Sequence, residues 1–375
     1  MSENKEETNR SESVDVTMLA VEQTEEVTNK KCPGCGATVE YDPETRGMLC
    51  KFCGYRKTLP APEDGESISE IDFDQAETTE SFNWGVEKKV VICKNCAGEE
   101  IYDALETAAV CSFCGSTNVM PAADEKSMAP GGVCPFTVPV DKAGGLFSKW
   151  LGKKIFTPKK AKLQARPEAF KGVYLPYWTF DTMTTSPFSG RAGYDKMVKR
   201  GDQTVMETDW RRVSGVYQES FNDYTVIGTN KNENSLVGRA EPFDFTKLVP
   251  YRPELMAGFG AERYSVGLKD AWVKAQEGIR SILYGKISQY ICSAWRANRS
   301  DSIAFSTNFS KVTFKYILLP VWLSSFTYNG KLYQFVVNGQ TGKVGGKAPV
   351  SALRVIIAII IVLAIFGLLG YLMSL

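Results

Sequence analysis

Four Cys-x-x-Cys pairs stand on one ruler in this chain. Cys32, Cys35, Cys50 and Cys53 recur 61 residues later as Cys93, Cys96, Cys111 and Cys114, with fourteen residues between the two pairs of each set. Two knuckles joined by a short hairpin bring four sulfurs to one point, the donor set of tetrahedral Zn²⁺. The chain has no histidine, so two all-cysteine, closed, structural zinc ions are expected. A site with four protein ligands leaves no position for water or substrate, which argues against metal catalysis. Glycine follows the second cysteine in Cys32-Pro-Gly-Cys35-Gly36, Cys50-Lys-Phe-Cys53-Gly54 and Cys111-Ser-Phe-Cys114-Gly115, whereas Cys96 is followed by Ala97 and then Gly98. Glycine there permits a tight turn with amides facing the sulfurs. Redox dithiols or disulfides are the competing reading, and a reducing compartment disfavours them.

A second constraint lies at the far end. Val355 to Leu375 is a run of twenty-one uncharged residues, fourteen of them Leu, Ile, Val or Phe. At 1.5 Å per residue it can cross a hydrocarbon core of about 30 Å, so a single transmembrane helix is expected over 355–375, a tail anchor. Lys343, Lys347 and Arg354 precede it and no acidic residue follows Asp301. The positive-inside rule then places the N-terminal bulk on the cytoplasmic side of the cell membrane. Residues 1–30 carry eight acidic and three basic side chains without an apolar run, which excludes a signal peptide and reads as a disordered tail.

Between these ends the expected order is a first zinc ribbon over 31–60, an acidic linker over 61–88, a second ribbon over 89–122 and an α+β body over 123–347. Glu63 to Glu87 holds nine acidic residues and no basic one, so the ribbons are expected to stand off on solvated tethers. Ile71, Phe73, Phe82 and Trp84 are apolar islands within the linker, suited to docking on a ribbon or a partner, or simply tethered. From Lys142 to Lys171 the balance reverses to nine basic residues against Glu168 alone. Lys149, Lys153, Lys154, Lys159, Lys160 and Lys162, interleaved with Phe147, Trp150, Leu151 and Phe156, suit phospholipid headgroups, with nucleic acid as the competing anion and a solvated helix face as the plain alternative.

The body suggests a mixed antiparallel sheet with helices, built from two related halves. Leu175-Pro-Tyr-Trp178 and Leu319-Pro-Val-Trp322 match at an offset of 144 residues. Phe326 to Val337 reads as a hairpin on Asn329-Gly330, and Asn338-Gly-Gln-Thr-Gly-Lys343 as a further turn. Strands are expected across Phe188 to Thr229. Leu268, Trp272, Ala275, Ile279, Ile282, Leu283, Ile287, Tyr290 and Ile291 predict a helix with one buried face, and Leu146, Phe147, Trp150 and Leu151 after Asp141 a shorter one. Cys134 and Cys292 are expected as buried hydrophobes. Without histidine there is no catalytic triad and no HExxH. Gly339 to Lys347 lacks P-loop spacing, so no catalytic residue and no enzymatic activity are expected.

The paired four-cysteine units, Asn83-Trp-Gly85, the two Leu-Pro-x-Trp segments, Glu241-Pro-Phe-Asp-Phe-Thr-Lys-Leu-Val-Pro250, Asn338-Gly-Gln-Thr-Gly-Lys343 and the terminal span together resemble the bacterial single-pass membrane proteins with transcription-factor-IIB-type zinc ribbons. The resemblance runs from Lys31 to the end of the chain. Some relatives accompany phage-shock protein A and band-7 (SPFH) proteins. It implies a membrane-anchored adaptor that holds such proteins at the cytoplasmic face, in envelope stress. Ribbons bind protein or nucleic acid with the same fold, so a membrane-tethered nucleic-acid-binding protein is the alternative, opposed by the acidic flanks.

Overall fold

A computed structural model describes residues 31–60, 68–76, 88–103, 111–113, 116–121, 128–164, 170–201, 203–229, 236 and 238–374. The acidic tail, Phe82 and Trp84 lie outside them. The fold is α+β. Strands β1 (Glu40–Asp42), β2 (Gly47–Leu49) and β3 (Arg56–Thr58) form a small antiparallel sheet around the first cysteine unit. Then come β4 (Ile71–Asp72), β5 (Lys88–Cys93), β6 (Glu99–Asp103), β7 (Val119–Pro121) and β8 (Gly132–Val133). Helices α1 (Val140–Gly152) and α2 (Lys159–Gln164) precede the long strands β9 (Lys171–Arg200) and β10 (Gln203–Ile227). Short strands β11 (Val249–Pro250) and β12 (Gly260–Glu262) lead to α3 (Leu268–Ala294). The chain ends in β13 (Arg299–Phe305), β14 (Asn308–Tyr328), β15 (Lys331–Asn338), β16 (Val344–Gly346) and α4 (Ala352–Ser374). Thirteen strands, β4 to β16, share one sheet.

The centre of that sheet is the antiparallel β9–β14 ladder, in which the two Leu-Pro-x-Trp segments meet. Leu175 lies opposite Leu319, Trp178 opposite Tyr316, and Gly172 opposite Trp322. The surroundings repeat about this point. Pro176 and Pro320 each offer a carbonyl to a glycine amide, Gly228 at 2.8 Å and Gly339 at 2.9 Å. Trp178 Nε1 donates to Val266 O at 2.9 Å and Trp322 Nε1 to Val138 O at 2.8 Å. Each of those carbonyls stands just before a helix, α3 or α1. Strands β12 and β8 run parallel to β9 and β14 in matching positions, Gly260 beside Val173 and Gly132 beside Ile317. The two segments are thus related by a local pseudo-twofold axis through Leu175 and Leu319.

Side chains alternate across this ladder, and both faces are covered. Tyr174, Trp178, Phe180, Phe314, Tyr316 and Trp322 pack on one side beneath α1 and α3. Val173, Leu175, Tyr177, Ile317, Leu319 and Val321 pack on the other. Near-continuous apolar runs in the two strands are what a sheet buried on both faces requires.

The sequence expectations for the remaining elements meet the structure unevenly. Asn329 and Gly330, at φ 49° and 72°, turn β14 into β15 with Tyr328 opposite Lys331. Helix α3 buries Trp272, Ala275, Ile279, Leu283, Ile287 and Ile291, whereas Ile282 is exposed and Tyr290 only partly covered, its ring against Phe188, Tyr217 and Trp295. The buried stripe there advances in steps of four and is narrower than the apolar residues suggest. Cys134 is buried, while Cys292 is only half-buried. The linker islands Ile71 and Phe73 dock on the body and not on a ribbon: Ile71 pairs with Phe314, and the Phe73 ring lies 5.7 Å from that of Trp272.

Beside this docked segment sits a charge cluster. Lys315 lies 3.1 Å from Glu70 and 2.8 Å from Asp223, and the Asp223 amide donates to Asp181 at 2.7 Å. Burial pushes Asp181 up to about 6, with Glu70 adding to the rise. Burial also opposes ionisation of Glu70, but hydrogen bonds from Thr313, Asp181 and Lys315 outweigh it and hold that carboxyl below its usual range. Between about pH 4 and 6 the folded chain therefore holds a proton on Asp181 that the unfolded chain has released, so this group's contribution is lost as pH rises through that window. Asp181→Asn keeps the acceptor and supplies a donor toward Glu70. In urea unfolding of the detergent-solubilised chain it is expected to stabilise by roughly 1 kcal/mol at pH 7 to 8, after discounting for partial exposure. The gain should fade below about pH 4; an equal gain at both ends would refute the assignment.

Candidate metal centres and their surroundings

The cysteine knuckles share one backbone design. The first cysteine of a knuckle donates its N–H to the carbonyl five residues on: Cys32 to Ala37, Cys50 to Tyr55, Cys93 to Gly98 and Cys111 to Ser116. Its own carbonyl accepts from the residue four on, Gly36, Gly54 or Ala97 in the first three knuckles. That acceptor geometry needs left-handed backbone, with φ 74° at Gly36, 76° at Gly54 and 55° at Ala97. Ala97 thus holds the turn at a steric cost that the glycines avoid.

The turns deliver the sulfurs to common points. Sγ of Cys32 and Cys53 are 3.3 Å apart, those of Cys35 and Cys50 are 3.5 Å apart, and all four fall within 4.8 Å of one another. Bonds of about 2.3 Å to a tetrahedral ion put sulfurs about 3.8 Å apart, so these residues fit a four-thiolate metal. The Gly34 amide faces Cys32 Sγ at 3.4 Å. Cys93, Cys96 and Cys111 form the second group, with Cys96 and Cys111 at 3.6 Å. Cys114 lies outside the described residues. Electrostatics agree with the geometry. The Cys53 and Phe52 amides pull the Cys50 thiol down to about 6. The Tyr55 amide acts the same way on Cys53, but crowding with Cys32 and Cys35 outweighs it and pushes that thiol up to about 12. Four adjacent sulfurs do not all ionise unaided, and a divalent cation removes that repulsion.

Neither unit stands off on a tether. In the first, Tyr41 enters the body's core, where its N–H donates to Ala257 O at 3.0 Å and its hydroxyl to Phe136 O at 3.3 Å. Val39, Met48, Cys32 and Cys50 join the same core. In the second, β6 pairs with β12, Ala261 opposite Ile101, so the unit is an extension of the main sheet. A cleft of about 510 Å³ remains where both units meet the body, with Tyr41, Asp42, Lys51, Ser112, Asp141 and Lys171 along it.

One difference between the units is large. Phe52 and Phe113 occupy the same place in their knuckles, yet Phe52 is 82% exposed and Phe113 3%. Phe113 packs with Cys93 and Cys111 in the core on the second face of the sheet, its carbonyl accepts from Gln334 Nε2 at 3.0 Å, and Gly98 leaves room for its ring. Behind it the buried Glu100 accepts from the Ser112 amide at 2.8 Å and hydroxyl at 2.9 Å. The sequence marked neither the docking of Tyr41 and Phe113 nor the freedom of Phe52; the repeated Lys/Ser-Phe between cysteines was the available sign.

The two motifs quoted beside the cysteines form a clasp. Asn338 Nδ2 donates to Ala240 O at 3.0 Å, its Oδ1 accepts from the Gln340 and Thr341 amides, and Lys343 Nζ reaches Glu241 O. This is a structural role. Among the basic candidates, Lys149, Lys153, Lys154, Lys159 and Lys160 are exposed and Lys162 half-buried, while Phe147 and Leu151 are buried. Helix α4 is the one described helix long and apolar enough to cross a membrane; over Ala352–Gly370 its mean hydropathy is 3.0 and none of it is buried.

No protein-family model matches the chain, and no solved structure matches it. The chain is 27% identical over 323 residues, 86% of its length and 90% of the relative's, to Uncharacterized protein YdjG of Bacillus subtilis (strain 168). The match extends well beyond the cysteine units and takes in most of the body.

Relief of the strained turn is measurable. Ala97→Gly is expected to stabilise the second unit by about 1 kcal/mol, read as roughly fivefold slower hydrogen exchange at the Cys93 and Ala97-position amides. Faster exchange in the variant would show that residue 97 is not held left-handed.

Proposed function

We propose that this chain is a non-enzymatic adaptor on the cytoplasmic face of the cell membrane, anchored by α4, in which two structural zinc ions hold the cysteine units in shape for protein partners. Closed thiolate sets suit zinc, and the absence of histidine makes each site purely sulfur-ligated. Lys343, Lys347 and Arg354 at the body end of α4 favour the cytoplasmic orientation.

Phe52 carries the reading. Its counterpart Phe113 is a buried anchor, so the same knuckle residue serves as a docking knob in one unit and is left at 82% exposure in the other. A large aromatic held out by a rigid, metal-locked turn loses little freedom on binding, which is the character of an interface hot spot. The partners are membrane-associated proteins presenting an apolar pocket, phage-shock protein A-like or SPFH proteins being those the family resemblance implies, with envelope stress as the setting.

The test is in-cell crosslinking and affinity capture of the full chain against Phe52→Ala, which removes no core contact and no cysteine. The expected result is a severalfold loss of specific membrane-associated proteins with zinc content and membrane insertion unchanged. Unchanged capture would remove the first unit as the docking site, and recovery of nucleic acid in place of proteins would favour a membrane-tethered nucleic-acid-binding protein.

A further inference from the structure

The foot of α4 is tied to the basic segment rather than hanging free below the body. The Arg354 guanidinium donates to Ile155 O at 2.9 Å and Thr157 O at 2.7 Å, and the Ser351 amide donates to Phe156 O at 2.9 Å. These bonds fix the loop between α1 and α2 at the point where the apolar helix begins. Beside them opens a cleft of about 490 Å³ with Lys153, Lys154, Arg239, Lys347 and Val350 along its wall. Arg239 is oriented by its bond to Gly346 O at 2.9 Å.

The charge here is one-sided. Lys153, Lys154, Lys159, Lys160 and Lys347 form no ion pair with an acidic side chain among the described residues. Two large apolar side chains stand among them in the open, Ile155 at 71% and Leu163 at 81% exposure, joined by Val350 and Leu353 at the start of the helix. Lysines around exposed aliphatic residues, continuous with a membrane-spanning helix, match the two zones of a bilayer surface: phosphate at headgroup depth and acyl chain just below it.

We propose that this cleft is a binding site for the headgroup phosphate of an anionic phospholipid in the leaflet facing the body, with Ile155 and Leu163 seated in the acyl boundary. The inference rests on α4 crossing the membrane. A zwitterionic headgroup is disfavoured because its own cation would meet the lysines, so a net negative lipid is selected. The body is thereby laid against the bilayer at a fixed tilt, and the cysteine units are presented in one orientation.

The experiment uses the full chain in nanodiscs of phosphatidylcholine alone or with about one third phosphatidylglycerol, followed by hydrogen exchange at the Thr157 and Ser351 amides and by native mass spectrometry of retained lipid. The expected result is about fivefold slower exchange in the anionic discs, with phosphatidylglycerol retained. Both effects should be lost in a Lys153→Gln, Lys154→Gln, Lys347→Gln variant that still inserts. Equal exchange in both discs, with the chain inserted, would overturn the headgroup site and leave the anchor standing. A chain that enters neither disc would overturn the anchor and the site together. Equal protection by inorganic phosphate added to phosphatidylcholine discs would assign the cleft to a soluble anion and overturn the lipid assignment.

Discussion

The pairing of Leu175 with Leu319 sets the register on which the other elements depend. Once β9 and β14 are aligned there, Trp178 and Trp322 reach the carbonyls of Val266 and Val138 and so place α3 and α1. Strand β12 then lies beside β9 and carries β6, and with it the second cysteine unit, into the sheet. A slip of one residue in either strand would turn its side chains to the opposite face of the ladder, mismatching the packed surfaces that receive Tyr41 on one side and Phe113 on the other.

The cysteine units are therefore parts of the body, docked on it in different ways. Each is small, and a metal held by its cysteines would add the free energy that apolar burial alone does not supply. What the knuckles hold in place differs between them. In the second unit the knuckle presses Phe113 into the sheet and completes the fold. In the first, Tyr41 does the docking and the knuckle carrying Phe52 is turned outward. The adaptor proposal rests on this difference between two copies of one element, Phe113 buried and Phe52 exposed.

Much of the candidate site was legible in the sequence because metal knuckles are local: Cys-x-x-Cys spacing and the glycine after it fix the turn without reference to the rest of the chain. The long apolar terminal helix was legible for the same reason, as was the Asn329-Gly330 hairpin. What escaped was tertiary. The acidic composition around Ile71 and Phe73 suggested a solvated tether, yet one backbone pairing to Phe314 and an aromatic nest with Trp272 and Phe180 override it. The Leu-Pro-x-Trp repeat announced a relation between two strands, but not that they would be partners in one ladder. Nor does composition distinguish Phe52 from Phe113, since burial of each is decided by what lies opposite it in the assembled sheet.

The most direct test of this account is the metal itself, by elemental analysis and zinc-edge X-ray absorption on the purified full chain and on Cys32→Ser/Cys35→Ser and Cys93→Ser/Cys96→Ser variants. The account predicts two zinc ions per chain in purely sulfur coordination at about 2.3 Å, falling to one in either variant. Zinc-free protein with oxidised cysteines, or oxygen and nitrogen in the coordination shell, would contradict it.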